Sequence, residues 1–329
     1  MEGTKQLSLC VITKNDAAFL PDCLSEMQDV ADEILVVDLG SDDDTLKLAE
    51  QAGAKLYRLE WEEDFSKIKN FCMEHAAGKW VLFLQADEKI SQEQREELKI
   101  LLQNPSAEGY LLYVDYNQEE RGISSPAQFL RLIRNRTEYR FCYRSFEYLP
   151  DKVIFPLRNT GIRITHRSKE TVTWPLEERI RLLEEDVREH PQSSYVRYME
   201  GIELLNQGEY EESVVPLDQA RRAVNWGYLY APHLYKCLGF VLISLERYQE
   251  AVEVLGEGIE NISFYNDLLV LRAETYRLLN RNQEALEDLE ACIALRMEPN
   301  ASVPCTEIED SIVQEMWEEI RANLNKSNR

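Results

Sequence analysis

The sequence predicts two folds in series: an α/β half on a mainly parallel sheet, then an all-α half of stacked helix pairs. Three observations carry this. Short apolar runs alternate with amphipathic stretches through the first hundred or so residues. From about Gly109 the pattern shifts to shorter strand-like segments separated by turns. After Pro175 only helical periodicity remains, with small residues recurring at fixed offsets. A chain of 329 residues is also too long for one ordinary core.

Taken in order, residues 8–13 (SLCVIT) form a compact apolar strand, followed by a polar turn and an amphipathic stretch over 17–28. Residues 33–38 (EILVVD) make the second strand. Ser41 can N-cap the next helix, with Asp44 three residues on completing a variant of the capping box. A third strand covers 55–59, a third helix 66–75, and a fourth strand 79–84 (KWVLFL). Continuous apolar strands between helices imply a parallel sheet covered on both faces. Such sheets bind ligands beyond the carboxyl ends of their strands. The segments there are 13–16 (TKND), 38–42 (DLGSD) and 85–88 (QADE), each polar and each carrying acids. Further short strands are expected over 110–116, 128–134 and 162–165.

In the second half, Gly201, Gly239 and Ala273 align as the small residue of a first helix, with Ser213, Ala251 and Ala285 twelve positions later. Seven further on stand Ala220, Gly258 and Cys292. Leu204, Leu242 and Tyr276 match, as do Leu217, Leu255 and Leu289. Small residues at these offsets let antiparallel helices approach closely, and stacked pairs bury what one pair cannot. The pattern resembles the tetratricopeptide repeat. It places repeats at about 194–227, 232–265 and 266–299, with an extra helix before them. Residues 306–309 (TEIE) are a capping-box pattern opening a last helix over 306–324 that seals the array. The expected domains are therefore 1–172 and 173–329.

The formal net charge of −23 argues against a general nucleic-acid or membrane-surface role, though not against a local basic pocket for a nucleotide diphosphate. No stretch has the length of a membrane span and the start shows no signal peptide, so a cytoplasmic location is expected. The 7 cysteines form no CxxC pair and read as buried reduced thiols. A dinucleotide oxidoreductase is disfavoured because 11–17 contains no glycine for a pyrophosphate turn.

The stretches SLCVITKND, DEILVVDLGSDDDT, EWEEDFSKIKNF, GKWVLFLQADE and RLIRNRTEYRF resemble, in order and spacing, the family-2 inverting glycosyltransferases of GT-A fold. The likeness covers about half the chain and is strongest to bacterial members with a tetratricopeptide tail, a group that includes peptide and protein glycosyltransferases. It implies sugar transfer from a UDP-sugar with Mn²⁺ or Mg²⁺. The acceptor it implies is a peptide, protein or glycan, bound by the repeats, which can also support homo-oligomers.

On that resemblance Thr13, Lys14, Asn15 and Asp38 face the nucleoside, and Lys69 and Asn70 match a basic-residue–Asn pair that approaches base or phosphate. Gln85, Ala86 and Asp87 occupy the place of the Asp-x-Asp motif. Asp87 keeps the metal position, Gln85 puts a neutral amide where the first acid stands, and Glu88 is an auxiliary acid. Glu147 stands where the family's base does, preceded by Phe146 in place of a histidine. His166 sits where a histidine can reach the metal or diphosphate, but the usual Gly-Tyr after it is absent. These departures leave a second expectation, a catalytically weak or inactive scaffold acting through its repeats.

Overall fold

The computed structural model describes residues 5–115, 127–146, 148–149, 157–166, 176–228, 230–262, 265–296 and 310–327. The chain separates into two compact units, Met1–Leu182 and Leu183–Arg329, which meet inside one helix, Leu176–Glu189. The division expected at 172–173 lies outside the described residues.

The first unit is built on one eight-stranded sheet. Its strands are β1 (Leu7–Thr13), β2 (Glu33–Asp38), β3 (Lys55–Arg58), β4 (Trp80–Gln85), β5 (Glu88–Lys89), β6 (Gly109–Asp115), β7 (Ala127–Arg134) and β8 (Leu157–His166). Their order across the sheet is β3-β2-β1-β4-β7-β6-β8-β5. The first four strands run parallel, as the apolar runs of β1, β2 and β4 predict, although β3 (KLYR) is only partly buried. Beyond them the sheet is mixed: β7 lies antiparallel to β4 and β6, β8 is parallel to β6, and β5 is antiparallel to β8. Helices α1 (Leu20–Met27), α2 (Thr45–Gln51), α3 (Phe65–His75) and α4 (Gln92–Gln103) follow in chain order.

Alternation along β1 builds a core on each face. Leu7, Leu9 and Val11 join Leu20, Leu24 and Met27 of α1, whereas Cys10 joins Ile68 and Cys72 of α3. Helix α3 starts where the Asp64 carboxylate accepts from the backbone N–H groups of Ser66 and Lys67, at 2.9 and 3.2 Å. The start of α2 differs from expectation. The helix begins at Thr45, with Asp44 as its N-cap and no side-chain cap bond. The Ser41 hydroxyl instead accepts from the backbone N–H of Asn15 at 2.8 Å, a tertiary partner that local pattern cannot reveal.

At the amino ends of the strands lies a buried carboxylate, Glu33, which is only 2% exposed in its side chain. Lys5 and Lys55 donate to one of its oxygens at 2.9 and 2.6 Å, while the Ser8 hydroxyl and the Ala77 backbone N–H donate to the other. Gly78 completes the cluster by donating its N–H to the Ser8 hydroxyl at 2.8 Å. A Cβ on Gly78 would stand 2.6 Å from the Ser8 backbone nitrogen, so only glycine fits this approach. Burial alone would raise the Glu33 carboxyl, but the hydrogen bonds from Lys55, Ser8, Lys5 and Ala77 outweigh it and pull it down to about 2.

The second unit is helical. After α5 (Leu176–Glu189), which spans both units, come α6 (Ser194–Asn206), α7 (Tyr210–Ala223), α8 (Ala231–Ser244), α9 (Tyr248–Asn261), α10 (Asn266–Leu278) and α11 (Asn282–Arg296). These are the three helix pairs read from the repeat. The small residues fall at the closest approaches within each pair. A Cβ on Gly201 would come within 2.5 Å of Leu217 Cγ, and one on Gly239 within 2.5 Å of Leu255 Cδ2. In the third pair Ala273 and Leu289, the aligned residues, are both fully buried. Ion pairs link helices: Arg221 with Glu257, Lys236 with the buried Asp267 at 2.9 Å, and Arg272 with Asp288 at 2.6 Å. A final helix, α12 (Asp310–Ser327), buries Val313 and Ile320 in the cluster of Ala285 and Leu289. The capping box expected at 306–309 lies outside the described residues.

Two outcomes follow for stability. Glu33→Ala leaves the buried Ser8 hydroxyl and the Ala77 N–H without their acceptor, and should cost about 2–4 kcal/mol in urea unfolding. Because Glu33 is depressed in the fold from its ordinary 4.5 to about 2, its contribution is complete above the higher value and is lost as pH falls through that interval. The variant should therefore show a shallower loss of stability there than the parent chain. In the repeats, Gly239→Val forces a branched side chain against Leu255 and should cost about 1–3 kcal/mol by the same measurement.

Candidate active site at the strand ends

Two polar clusters form at the carboxyl ends of the strands. The first joins the turn after β1 to the turn after β2, where register sets Thr13 beside Asp38. Asp38 is fully buried, and its carboxylate accepts from the backbone N–H groups of Gly40 and Ser41 at 3.1 Å each. Asn15 takes the left-handed backbone, φ 59°, which asparagine tolerates better than most residues. In that conformation its side-chain oxygen accepts from the Asp42 N–H at 2.9 Å. Asp16 donates its N–H to the Thr45 hydroxyl at 2.9 Å, and its carboxylate accepts from the Thr13 hydroxyl and the Lys14 N–H at 2.8 and 3.0 Å.

Burial raises the Asp16 carboxyl. The bonds from Thr13 and Lys14 oppose this, and the negative charges of Asp87 and Asp43 add to it. Asp16 thus lies within electrostatic reach of the second cluster. Arg58, at the end of β3, places its guanidinium 3.6 Å from Asp38 and donates to the Ser41 carbonyl at 3.3 Å while remaining largely exposed. The strand-end rule applied to the third strand points to Arg58, which the sequence reading passed over.

The second cluster gathers around Asp87. The two-residue strand β5 pairs with β8 so that Glu88 lies opposite His166. His166 Nδ1 is 2.9 Å from an Asp87 oxygen, and its Nε2 is 3.7 Å from a Glu88 oxygen. Glu88 is fully buried, accepting from Arg131 at 2.7 Å and from the Gln85 backbone N–H at 2.8 Å. Burial works against a charged imidazole. The bond to Asp87 and the charges of Glu88 and Asp87 outweigh it, despite Arg131, and raise His166 above its ordinary value. A strand as short as β5 leaves no periodic signal. Only the resemblance placed His166 here, and Arg131 was not singled out at all.

The remaining residues sit elsewhere on these elements. The Lys69 ammonium lies 5.2 Å from the Phe83 ring centre and 4.9 Å from that of Phe141. Alternation along β4 puts Gln85 on the same face as Phe83. The Asn70 amide is committed to the backbone of Phe141, donating to its carbonyl at 3.0 Å and accepting from its N–H at 2.7 Å. The Ala86 methyl is buried in the core. Glu147 lies outside the described residues, as do Arg167 and Ser168. The Arg179 guanidinium covers the Phe146 ring at 4.7 Å and donates to the Ser145 carbonyl at 3.1 Å.

Among the described residues no three His, Cys, Asp or Glu side chains form a metal-holding group. Asp87 and His166 nevertheless fit a divalent ion as two protein ligands, because hard cations accept their remaining oxygens from a bound diphosphate. Among the same residues no helix is long and apolar enough to cross a membrane.

The first unit is thus a mixed sheet with acids beyond the ends of its parallel strands, and a helical-repeat array follows it in the chain. Residues 8–168 match the family described as Glycosyl transferase family 2. A TPR repeat-containing protein of Synechococcus elongatus is 30% identical over 292 residues, covering 80% of this chain and 70% of that one. An uncharacterized glycosyltransferase of Rickettsia felis is 33% identical over 109 residues, covering 33% of this chain and 38% of that protein. Among solved structures, glucosyl-3-phosphoglycerate synthase from Mycobacterium tuberculosis, in complex with Mn²⁺, UDP and glucosyl-3-phosphoglycerate, is 17% identical. The match covers 33% of this chain and 44% of that one, with a TM-score of 0.30. The chain belongs to glycosyl transferase family 2 and carries tetratricopeptide repeats after its transferase domain.

The geometry of Asn15 gives a direct test. Asn15→Ala removes the acceptor for Asp42 and keeps a side chain in the left-handed region, so it should cost about 2 kcal/mol in urea unfolding. Asn15→Gly, which loses the same acceptor but relaxes the backbone, should cost about half as much; equal losses would show that the backbone conformation contributes nothing.

Proposed function

We propose that the first unit moves a sugar, with inversion, from a UDP-sugar to a peptide or protein acceptor, and that the repeats hold the acceptor or a partner. The observation that carries this reading is the Asp87–His166 pair at 2.9 Å, set at the strand ends with Asp38 buried in the neighbouring turn. Asp38 and the Thr13–Lys14–Asn15 turn, stiffened by its bonds to Ser41 and Asp42, present fixed polar groups to the nucleoside. Lys69, and Arg58 with it, supply positive charge toward the diphosphate in a chain of net charge −23. Mn²⁺ or Mg²⁺, when bound by Asp87 and His166, would neutralise the leaving nucleotide as its charge develops. Glu147 is the proposed base that takes the acceptor's proton.

A specific feature favours a second reading, a weak or inactive transferase domain in a repeat-based scaffold. Gln85 supplies a neutral amide at the first position of the motif, where an acid would accept from a ribose hydroxyl.

Thermal unfolding against a panel of nucleotide sugars, with and without Mn²⁺, separates the two. A ligand held only by the folded chain stabilises it by about 2.7 kcal/mol at a hundredfold excess over its Kd. The transferase reading expects a Mn²⁺-dependent rise in Tm with one UDP-sugar, abolished by Asp87→Ala, and faster donor turnover in Gln85→Asp. Absence of any shift across the panel would transfer the function to the repeats.

A further inference from the structure

The Glu88–Arg131 pair is poorly explained as a stability device. Removing two charges from water costs more than their attraction commonly returns, and well-packed apolar residues serve a core as well or better. Yet Glu88 is fully buried and each of its oxygens is engaged next to Asp87. One oxygen accepts from the Gln85 N–H at 2.8 Å, closing the turn in which Asp87 stands. The other accepts from Arg131 of β7 at 2.7 Å and lies 3.7 Å from His166 Nε2. In the sheet order β7 and β5 are separated by β6 and β8, so a single carboxylate ties chain segments that do not pair with one another.

The imidazole lies between the two carboxylates, hydrogen-bonded to Asp87 and in charge contact with Glu88. Its Nε2 side faces Glu88 and its Nδ1 side faces Asp87. A histidine that ligates a metal commonly has its other ring nitrogen directed at a carboxylate, which fixes the ring and its tautomer. We infer that Glu88, held by Arg131, is a positioning residue: it fixes the Gln85–Asp87 turn and the His166 ring so that Asp87 and His166 Nδ1 converge on one divalent cation of a nucleotide diphosphate. The inference rests on the donor-site reading given above.

The test uses the full chain with Mn²⁺ and UDP as probes, comparing the parent with Glu88→Gln and with the double variant Glu88→Leu, Arg131→Met. The double variant leaves no unpaired buried charge, so it keeps the fold while removing the carboxylate. Calorimetric titration of Mn²⁺ in the presence of UDP should show affinity weakened roughly ten- to hundredfold in both variants. In the double variant, hydrogen exchange without ligand should quicken at the Gln85 amide and around 164–166 but stay unchanged in β1 and β2, with Tm little altered. A purely structural role would instead lower Tm and raise exchange throughout. Parent-like Mn²⁺ affinity in both variants overturns the inference. If the parent chain itself fails to bind Mn²⁺ with UDP, the donor reading falls, and exchange alone decides the positioning role: faster exchange confined to those segments upholds it, and parent-like exchange overturns it.

Discussion

The buried carboxylate of Glu33 is the constraint on which the geometry of the first unit depends. An ionised group sealed in a sheet is tolerated only when donors surround it, and here they come from β1, β3 and the segment leading into β4 as well as from the chain before β1. Its place is fixed by register, Ser8 beside Glu33 and Ser8 beside Val81. A slip of one residue would turn every side chain to the other face, so a pin at the amino ends decides what emerges at the carboxyl ends. With this register Thr13 arrives beside Asp38 and Ile12 beside Gln85. The polar clusters are thus positioned by a network at the opposite end of the same strands.

Much of this was legible in the sequence because it is carried by short-range pattern. The runs LCVIT, ILVVD and WVLFL have no polar face, which points to strands covered on both sides, and the acids after them mark the open ends. The repeats were equally legible. Their period aligned Gly201 with Gly239 and Leu217 with Leu255, and the structure sets each of these glycines against the leucine of its own pair. Partners brought together by tertiary structure were not legible. Ser41 has the residue type and spacing of a helix cap, but its hydroxyl serves Asn15, and α2 starts four residues later. Strand β5 is two residues long, below the reach of any periodicity, yet it sets Glu88 opposite His166. Asn70 matched a motif pair, and the structure commits its amide to the backbone of Phe141, which sequence spacing could not show.

The two strand-end clusters solve different electrostatic problems. Around Asp38 and Asp16 the acids are held mainly by backbone N–H groups and hydroxyls, so the turns become rigid at little cost in net positive charge. Around Asp87 and Glu88 the acids meet a guanidinium and an imidazole, whose positions respond to charge. Asp16 connects the two, its carboxyl raised by burial and further by the charge of Asp87. Positive charge brought near Asp87 would relieve that repulsion, so on the proposed donor reading a bound cation would be favoured there. That preference is local: it sits in a chain of net charge −23, in which anionic ligands are otherwise repelled. On the proposed donor reading, an anionic nucleotide and its counter-cation would complement this end of the sheet together better than either would alone, because the cation would answer the acids and the diphosphate would answer the cation.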